Sequence, residues 1–318
     1  MRKAMAGALA GIVLALSSVA VAAPIEVTGS LSSKYETINA PDSPLESSLM
    51  TTLTLRAEKK IAPGLSLYTR FAAQYVTQPL LGAPDYNMDV YGPDTKTVVA
   101  LDQYGLIYQK NNWTYKLGRQ DYGIGVTTLL YNRADTNIGK DALVEGLSFN
   151  GAIGSVELSG VLAQENSLWT SNNQLYALRA GCNLSKNVNV GATWAQYHYN
   201  NADTTNHWDI DTTLKFGKGS LTAEYAQSDR SVENTAYAVT AKYDFTDKTA
   251  FYITNFRVEA NGDMGGQSEF NNNNRGFHYG LTHSFSDSLS LEVVYKDQYS
   301  LLDNSKNTKF ETTLKYTF

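Results

Sequence analysis

The chain ends in the nine residues FETTLKYTF, from Phe310 to Phe318, in which bulky apolar and polar side chains alternate. Successive side chains of a β-strand point to opposite faces, so Leu314 shares a face with Phe310 and Phe318, whereas Glu311 and Lys315 share the other. A charged side chain costs roughly 2–4 kcal/mol on the lipid face of a membrane barrel, and much less on a wetted face. The segment therefore predicts a strand with one lipid-facing row and one water-facing row.

The same alternation recurs almost everywhere after Pro24, and helical periodicity nowhere persists beyond about two turns. Tilted strands of about 10 residues span a bilayer. If each strand with its connection takes roughly 18 residues, the chain from residue 23 to residue 318 holds about sixteen strands. We predict strands at roughly 25–36, 48–59, 65–77, 97–109, 112–120, 142–150, 155–164, 174–184, 187–199, 207–216, 219–229, 235–245, 249–259, 275–285, 288–299 and 307–318.

The connections between these strands alternate in length. Short turns are predicted at Pro63-Gly64, Asn111-Asn112, Gly151-Ala152, Ser185-Lys186, Gly217-Lys218, Thr246-Asp247-Lys248 and Ser286-Asp287-Ser288. Longer polar connections fill the other junctions, notably 78–96, 121–141 and 260–274. Short turns at one end and long loops at the other are typical of outer-membrane barrels, whereas a soluble sandwich would mix the two lengths. We therefore predict an all-β fold, a transmembrane antiparallel β-barrel with short periplasmic turns and longer external loops.

Strict alternation meets two difficulties. In the fourth strand, a lipid-facing Tyr104 and Leu106 would also place Asp102 toward lipid, so a β-bulge or an early strand end is required there. Glu145 raises the same difficulty in the sixth strand. Elsewhere the pattern is regular, as in the tenth strand, where Trp208 would face lipid and Asp209 would face inward.

The first residues have the pattern of a secretory signal peptide. Arg2 and Lys3 precede an apolar stretch of roughly 13 residues, whereas about 20 are needed to cross a bilayer as a helix. The small residues Ala20 and Ala22 form a cleavage motif. We predict removal of residues 1–22 and a single barrel domain over 23–318.

Composition agrees with an exported barrel. The charged fraction is 18% and the mean hydropathy is −0.31, which suits strands that alternate lipid-facing with lumen-facing residues. The 21 tyrosines suit aromatic girdles at the membrane interfaces. Cys182 is the single cysteine, so no intramolecular disulfide can form. With a formal charge of −5, nothing predicts a nucleic-acid partner, and no motif predicts a cofactor.

The segment Leu314-Lys315-Tyr316-Thr317-Phe318 resembles the C-terminal assembly signal of Gram-negative outer-membrane proteins. This resemblance implies that Leu314, Tyr316 and Phe318 are recognised by the barrel assembly machinery. It also implies a location among outer-membrane lipids.

A second resemblance is to general bacterial porins. It rests on 104–108, followed by a two-residue turn and by 113–120, which closes in Gly118-Arg119. In that family a similar hairpin leads into a third external loop that folds into the lumen, and the matching loop here is about 121–141. The resemblance implies a trimeric channel for passive diffusion of small hydrophilic solutes and ions. Lipid-facing small residues would allow close packing of barrels in a homotrimer, namely Ala180, Cys182, Ala223 and Ala241.

Inward-facing charges are the candidate pore residues. Basic side chains on the early strands resemble the wall that porins set against acids of the inserted loop, namely Lys34, Arg56, Arg70 and Lys116. The opposing loop acids would be Asp121, Asp135 and Asp141. Further lumen acids on later strands suggest a weak cation preference, namely Asp209, Asp211, Glu224, Asp244, Glu292 and Glu311. A plainer alternative is that the basic side chains only solvate a wide lumen.

Two other functions fit parts of the sequence. His198 and His207 border one short external loop and could meet Asp209 in a metal or acid–base site. No nucleophile elbow, phosphate-binding loop or zinc-protease helix occurs, so we expect no enzyme. The alternative is a closed or plugged barrel that serves adhesion or envelope tethering. Strand number separates it from a channel, since barrels of about sixteen strands leave an aqueous path and those of about eight do not.

Overall fold

The computed structural model describes residues 24–41, 43–78, 96–133, 138, 143–165, 172–200 and 203–318. The predicted signal peptide, residues 1–22, lies outside the described residues. No helix in these ranges is long and apolar enough to cross a membrane.

The described chain contains strands numbered in chain order as β1 (Glu26–Asn39), β2 (Glu46–Ala62), β3 (Leu65–Val76), β4 (Thr97–Lys110), β5 (Trp113–Gln120), β6 (Tyr122–Ile124), β7 (Tyr131–Arg133), β8 (Val144–Ile153), β9 (Val156–Glu165), β10 (Gln174–Ser185), β11 (Val188–His198), β12 (Thr204–Phe216), β13 (Gly219–Ser228), β14 (Thr235–Thr246), β15 (Thr249–Val258), β16 (Asn274–Ser284), β17 (Leu289–Ser300) and β18 (Lys306–Thr317). All except β6 and β7 form one closed antiparallel barrel, so the predicted architecture of sixteen strands is confirmed.

The barrel closes where the C-terminus meets β1. The backbones of Gly29 and Phe318 exchange two hydrogen bonds, of 2.8 and 3.0 Å. The Phe318 ring lies against Gly29, where a Cβ atom would come within 2.6 Å of the ring carbons. A glycine is therefore required at position 29 for the terminal aromatic side chain to cover the seam between β1 and β18.

One predicted turn is wrong. The chain does not turn at Gly151-Ala152, because β8 continues to Ile153 and the turn falls at residues 154–155. Gly154 has a φ of 61°, which suits a tight turn and which glycine adopts without strain. Gly151 instead lies within the strand under the Trp113 ring, where a Cβ atom would be 2.4 Å away. The sequence alone does not distinguish a glycine needed for close packing, such as Gly151, from a glycine needed for a turn, such as Gly154.

The difficulty in the fourth strand is resolved by a bulge. Arg70 pairs with Gln103 and Phe71 pairs with Leu101, so Asp102 is an extra residue in β4. The bulge that the alternation required is thus confirmed. Its effect is to turn Asp102 away from lipid, and the side chain is buried with only 2% of its surface exposed.

Glu145 is accommodated differently. It pairs across the ladder with Arg119 of β5, and the Arg119 Nη1 lies 3.3 Å from the Glu145 Oε1. Both residues share the side of their strands that carries the exposed Leu117 and its partner Leu147. An opposite charge directly across the ladder thus offsets the charge of Glu145 without a bulge.

Candidate functional site

The connection after β5 contributes a hairpin to the interior of the barrel. We call residues 121–133 the first lumen loop; it contains β6 and β7, which pair with each other. Leu129, Leu130 and Tyr131 are completely buried within an apolar cluster that includes inward-facing residues of the wall. This part of the predicted inserted loop therefore packs against the inner face of the barrel.

A second connection, residues 259–273 between β15 and β16, packs against the first, and we call it the second lumen loop. The backbone N–H of Met264 donates to the Leu130 carbonyl at 2.9 Å, and that of Glu269 donates to the Thr128 carbonyl at 3.1 Å. The sequence predicts a long polar connection at 260–274. Met264 and Phe270 are the apolar residues of this connection that are buried.

Asp263 orders the second lumen loop from within. Its carboxylate accepts hydrogen bonds from the Asn272 amide at 2.7 Å and from the Ser268 backbone N–H at 3.2 Å. Burial raises the pKa of Asp263 to about 6.

Together the two lumen loops and the wall form an apolar cluster inside the barrel. The wall part comes from β8 to β11 and β13 to β15, and with the loops it comprises Ile124, Leu129, Leu130, Tyr131, Val144, Val161, Ala163, Leu175, Ala177, Ala195, Tyr197, Ala226, Ala236, Ala238, Phe256, Val258, Met264 and Phe270. We call the inner face of β8 to β15 with both lumen loops the filled side. The inner face of β1 to β5, β17 and β18 carries the basic residues, and we call it the charged side.

Glu165 at the end of β9 binds four donors on the filled side. The hydroxyls of Tyr131 and Tyr197 donate to its carboxylate, each at 2.7 Å. The Arg133 guanidinium and the Asn173 amide donate to it at 3.1 Å. Because Tyr131 and Arg133 belong to β7, this buried carboxylate fixes the first lumen loop to the wall.

Glu224 of β13 binds the same loop at another point. Its Oε2 accepts hydrogen bonds from the Thr127 backbone N–H at 2.6 Å and from the Thr127 hydroxyl at 2.7 Å. Its Oε1 lies against Gly125, which has a φ of 95° and no room for a Cβ atom. The glycine thus permits both the backbone turn and the approach of the carboxylate.

The predicted lumen acids Asp209, Asp211 and Glu224 all lie on the inner side of the wall, and all three are buried. Asp211 binds the Arg179 guanidinium through two hydrogen bonds of 2.8 and 3.0 Å. Arg179 was not predicted as a pore residue, although the same alternation gives it an inward position in β10. A cavity of about 190 Å³ separates Arg179 from the start of the first lumen loop.

On the charged side, Lys34 lies 3.0 Å from Glu36 and 3.2 Å from Glu311. Lys296 lies 3.2 Å from Glu311, and Lys309 lies 2.8 Å from Glu36 and 3.3 Å from Glu311. We call these residues the five-charge cluster; it holds three lysines and two glutamates across β1, β17 and β18. Only Lys34 and Glu311 were singled out from the sequence, although Lys309 has the parity of Glu311.

Arg56 and Arg70 pair directly across the β2–β3 ladder, in a register that a β-bulge between Lys60 and Ala62 shifts by one residue beside the Pro63-Gly64 turn. Arg70 makes two hydrogen bonds to Asp102, of 2.8 and 2.7 Å, and both side chains are buried. Arg56 lies 3.6 Å from Glu58 and is 37% exposed. The bulge therefore supplies Arg70 with an acid that regular alternation assigned to the lipid face.

Tyr68 lies buried beside these cations. The Arg56 guanidinium carbon lies 5.4 Å from the centre of its ring, and the Lys116 amine lies 5.0 Å from it, both within cation–π range. Lys116 also lies 3.2 Å from the loop acid Asp121. The other two predicted loop acids, Asp135 and Asp141, lie outside the described residues.

The remaining predicted residues make separate contacts. Asp244 lies 3.0 Å from Lys242 near the periplasmic end of β14, and both are about half exposed. Glu292 accepts a hydrogen bond from the Tyr252 hydroxyl at 3.1 Å. The proposed assembly residues Leu314, Tyr316 and Phe318 are exposed on the outer face.

Comparisons with known proteins agree with this architecture. A family model for the Gram-negative porin matches residues 6–301. A triple mutant of the Rhodopseudomonas blastica porin superposes with a TM-score of 0.61 at 11% identity, over 93% of this chain and 100% of that one. A loop L8 deletion mutant of OmpT, an outer membrane protein of Vibrio cholerae, gives a TM-score of 0.60 at 13% identity, over 93% and 99%. A comparison with curated protein sequences found no match. The family model matches most of the chain, so the chain belongs to the Gram-negative porins.

Proposed function

We propose that ions and solutes cross this porin along its charged side, and that Lys34, Arg56, Arg70 and Lys116 set the selectivity there. The protein is an outer-membrane porin, a water-filled channel for passive diffusion of small hydrophilic solutes and ions. The observation that carries the proposal is the division of the lumen, with apolar packing on one side and charged side chains on the other. Family membership supports transport, and we propose no catalytic activity.

The selectivity follows from charges that face each other at short range. Asp121 lies 3.2 Å from Lys116, and together with the predicted loop acids Asp135 and Asp141, which lie outside the described residues, it would create a field across the pore. Such a field is strong because a narrow lumen has a lower effective dielectric than bulk water. Acids within 3.6 Å offset the basic residues, as Glu58 does for Arg56 and Asp102 for Arg70. Such a nearly balanced wall gives weak preference. Of the other predicted lumen acids, Glu292 and Glu311 lie on the charged side, and they turn this preference toward cations.

A double substitution, Arg56→Gln with Arg70→Gln, tests the assignment. Asp102 and Glu58 would lose their partners, so the pore should prefer cations more strongly, most of all at low ionic strength where screening is weak. Reversal potentials in planar bilayers under a salt gradient report the change. Lys242→Gln is the matched control, because Lys242 is an ion-paired basic residue near the periplasmic end. Unchanged reversal potentials in the double variant would show that these arginines do not line the selective section.

The same recording on the unaltered protein separates a channel from a plugged barrel. The filled side is the feature that favours a plug, since two loops and the wall pack together there. An open channel predicts stable conductance of the refolded protein. Absence of conductance would support a role in adhesion or tethering.

The proposal includes the route to the membrane and the assembly state. Residues 1–22 act as a signal peptide, so the protein in the outer membrane begins at residue 23. The barrel assembly machinery recognises Leu314, Tyr316 and Phe318, and three barrels then associate. N-terminal sequencing that finds Met1 in the membrane fraction would contradict the signal peptide. Wild-type outer-membrane levels after deletion of Phe318 would contradict the assembly signal. A monomer by light scattering, with correction for bound detergent, would contradict the trimer.

A further inference from the structure

The second lumen loop presents one acid to the open lumen. Glu269 is exposed, although its neighbour Phe270 is buried. Its carboxylate accepts a hydrogen bond from the Asn132 amide at 2.5 Å, and its backbone N–H is bonded to the first lumen loop. The acid therefore stands where the two loops meet.

Packing on either side holds Glu269 in place. The Phe270 ring stacks on Phe256 at 4.8 Å between centroids and contacts His278 at 5.5 Å. The next residue, Asn271, donates to the Gln298 side chain at 3.0 Å. Because the backbone is fixed by both contacts, the carboxylate cannot move far from the position that it occupies.

The charges that act on Glu269 belong to the five-charge cluster. Lys296, Glu311 and Lys34 lie within electrostatic range of its carboxylate. That cluster has three lysines for two glutamates, so it presents a surplus positive charge toward the loop.

Glu269 also differs from the acid of the first lumen loop. Asp121 lies 3.2 Å from the Lys116 amine, so its field acts mainly on that one basic residue. Among the residues that the structure describes, the partner of the Glu269 carboxylate is the neutral amide of Asn132. An amide fixes the carboxylate without cancelling its charge, and the field of Glu269 therefore extends into the lumen.

We propose that Glu269 is a specificity-determining residue of the pore, with permeating ions passing between its carboxylate and the surplus positive charge of Lys34, Lys296 and Lys309. The second lumen loop then supplies the acidic side of the selective section. The inference rests on the proposed function, because it requires the charged side to be the conducting path.

Glu269→Gln keeps the shape of the side chain and removes its charge. We expect the ratio of cation to anion permeability to fall about two- to fivefold at low salt, and the effect to shrink as salt screens the field. Reversal potentials in planar bilayers measure the ratio. Glu259→Gln is the matched control: Glu259 lies at the start of the same loop, where it binds Thr235 and Arg257, and its loss should leave the ratio unchanged.

A chemical rescue separates charge from structure. In a Cys182→Ser background, Glu269→Cys places the only thiol of the chain at this position. Modification with a negatively charged thiol reagent should restore cation preference, and a positively charged reagent should move the reversal potential the other way within the same channel. Equal reversal potentials after both reagents, or a wild-type ratio in Glu269→Gln, would overturn the inference while the channel still conducts. A wild-type protein without conductance would overturn the channel function itself.

Discussion

The filled side and the charged side of the lumen begin from the same strand pattern and end in opposite environments. On the filled side, Leu130 and Met264 from the loops are completely buried against the wall. On the charged side, Lys34 and Arg56 keep 22% and 37% of their side chains exposed. Alternation places a side chain inward in both cases. Whether that inward position becomes a core or a pore depends on the loop that covers it.

Charged groups accordingly have different roles on the two sides. A buried carboxylate such as Glu165 replaces lost water with several hydrogen bonds, so its removal leaves the donors unsatisfied. A half-exposed pair such as Arg56 and Glu58 is screened by water and contributes little to stability. We therefore expect substitutions of buried charged groups, on the filled side and at the Arg70–Asp102 pair, to change stability. Substitutions of the more exposed charges on the charged side should change the current.

The largest effect is expected for Glu165→Ala. Four donors would lose their acceptor, and at roughly 1–3 kcal/mol for each unsatisfied group the free energy of unfolding should fall by on the order of 5 kcal/mol. Urea unfolding in liposomes measures the change, and release of the first lumen loop should make the single-channel current noisier. Glu157→Ala, at the exposed end of the same strand, should change neither quantity. A loss no larger than in that control would contradict the structural role of Glu165.

Arg70→Ala tests the charged side at the buried Arg70–Asp102 ion pair. Asp102 would be left buried without its cation, which typically costs about 3–5 kcal/mol. Adding Asp102→Ala should recover part of this loss, because the uncompensated charge is removed. The double-mutant cycle by urea unfolding measures their coupling. If the losses of unfolding free energy from the two single substitutions were additive, Arg70 and Asp102 would not stabilise each other.

The pH dependence of the filled side should depend on Asp263. Burial raises the pKa of this carboxyl from 3.8 to about 6, so between these pH values the folded protein keeps a proton that the unfolded chain has lost. The contribution to stability is present below the lower value and is lost as the pH rises through the upper one. Relative to Asp263→Asn, the protein should lose about 2 kcal/mol of unfolding free energy between roughly pH 4 and pH 7. If the urea midpoints of the two proteins changed equally with pH across this range, the assignment of the pH dependence to Asp263 would be refuted.

The smallest change in stability is expected for Arg56→Ala. Its ion pair with Glu58 is half exposed at 3.6 Å, so unfolding should become easier by less than about 1 kcal/mol. The reversal potential should nevertheless shift toward cation preference. A loss above about 2 kcal/mol would mean that even the exposed pair on the charged side is structural, and the distinction between the filled side and the exposed charges would then fail.

Much of the wall follows from the sequence because its period is local. Trp208 and Asp209 are assigned to opposite faces by their adjacency alone. The Pro63-Gly64 turn brings Arg56 and Arg70 onto neighbouring strands, but a β-bulge between Lys60 and Ala62 is what places them directly opposite each other. The extra residue at Asp102 could be inferred because strict alternation failed there. Ion pairs two residues apart on one face, such as Arg56 with Glu58, could also have been read from the same pattern.

What lies in front of that wall was decided by the tertiary structure. Alternation points both Glu224 and Lys34 inward, but it does not say that Glu224 is covered by Thr127, which is 97 residues away in the chain. Nor does it place Glu269, because a loop without periodicity carries no register with the wall. Sequence by itself determined which side chains face the interior, since strand geometry repeats every two residues. Only the folded chain decided which of them are buried and which face water, since that depends on contacts between loops and strands far apart in sequence.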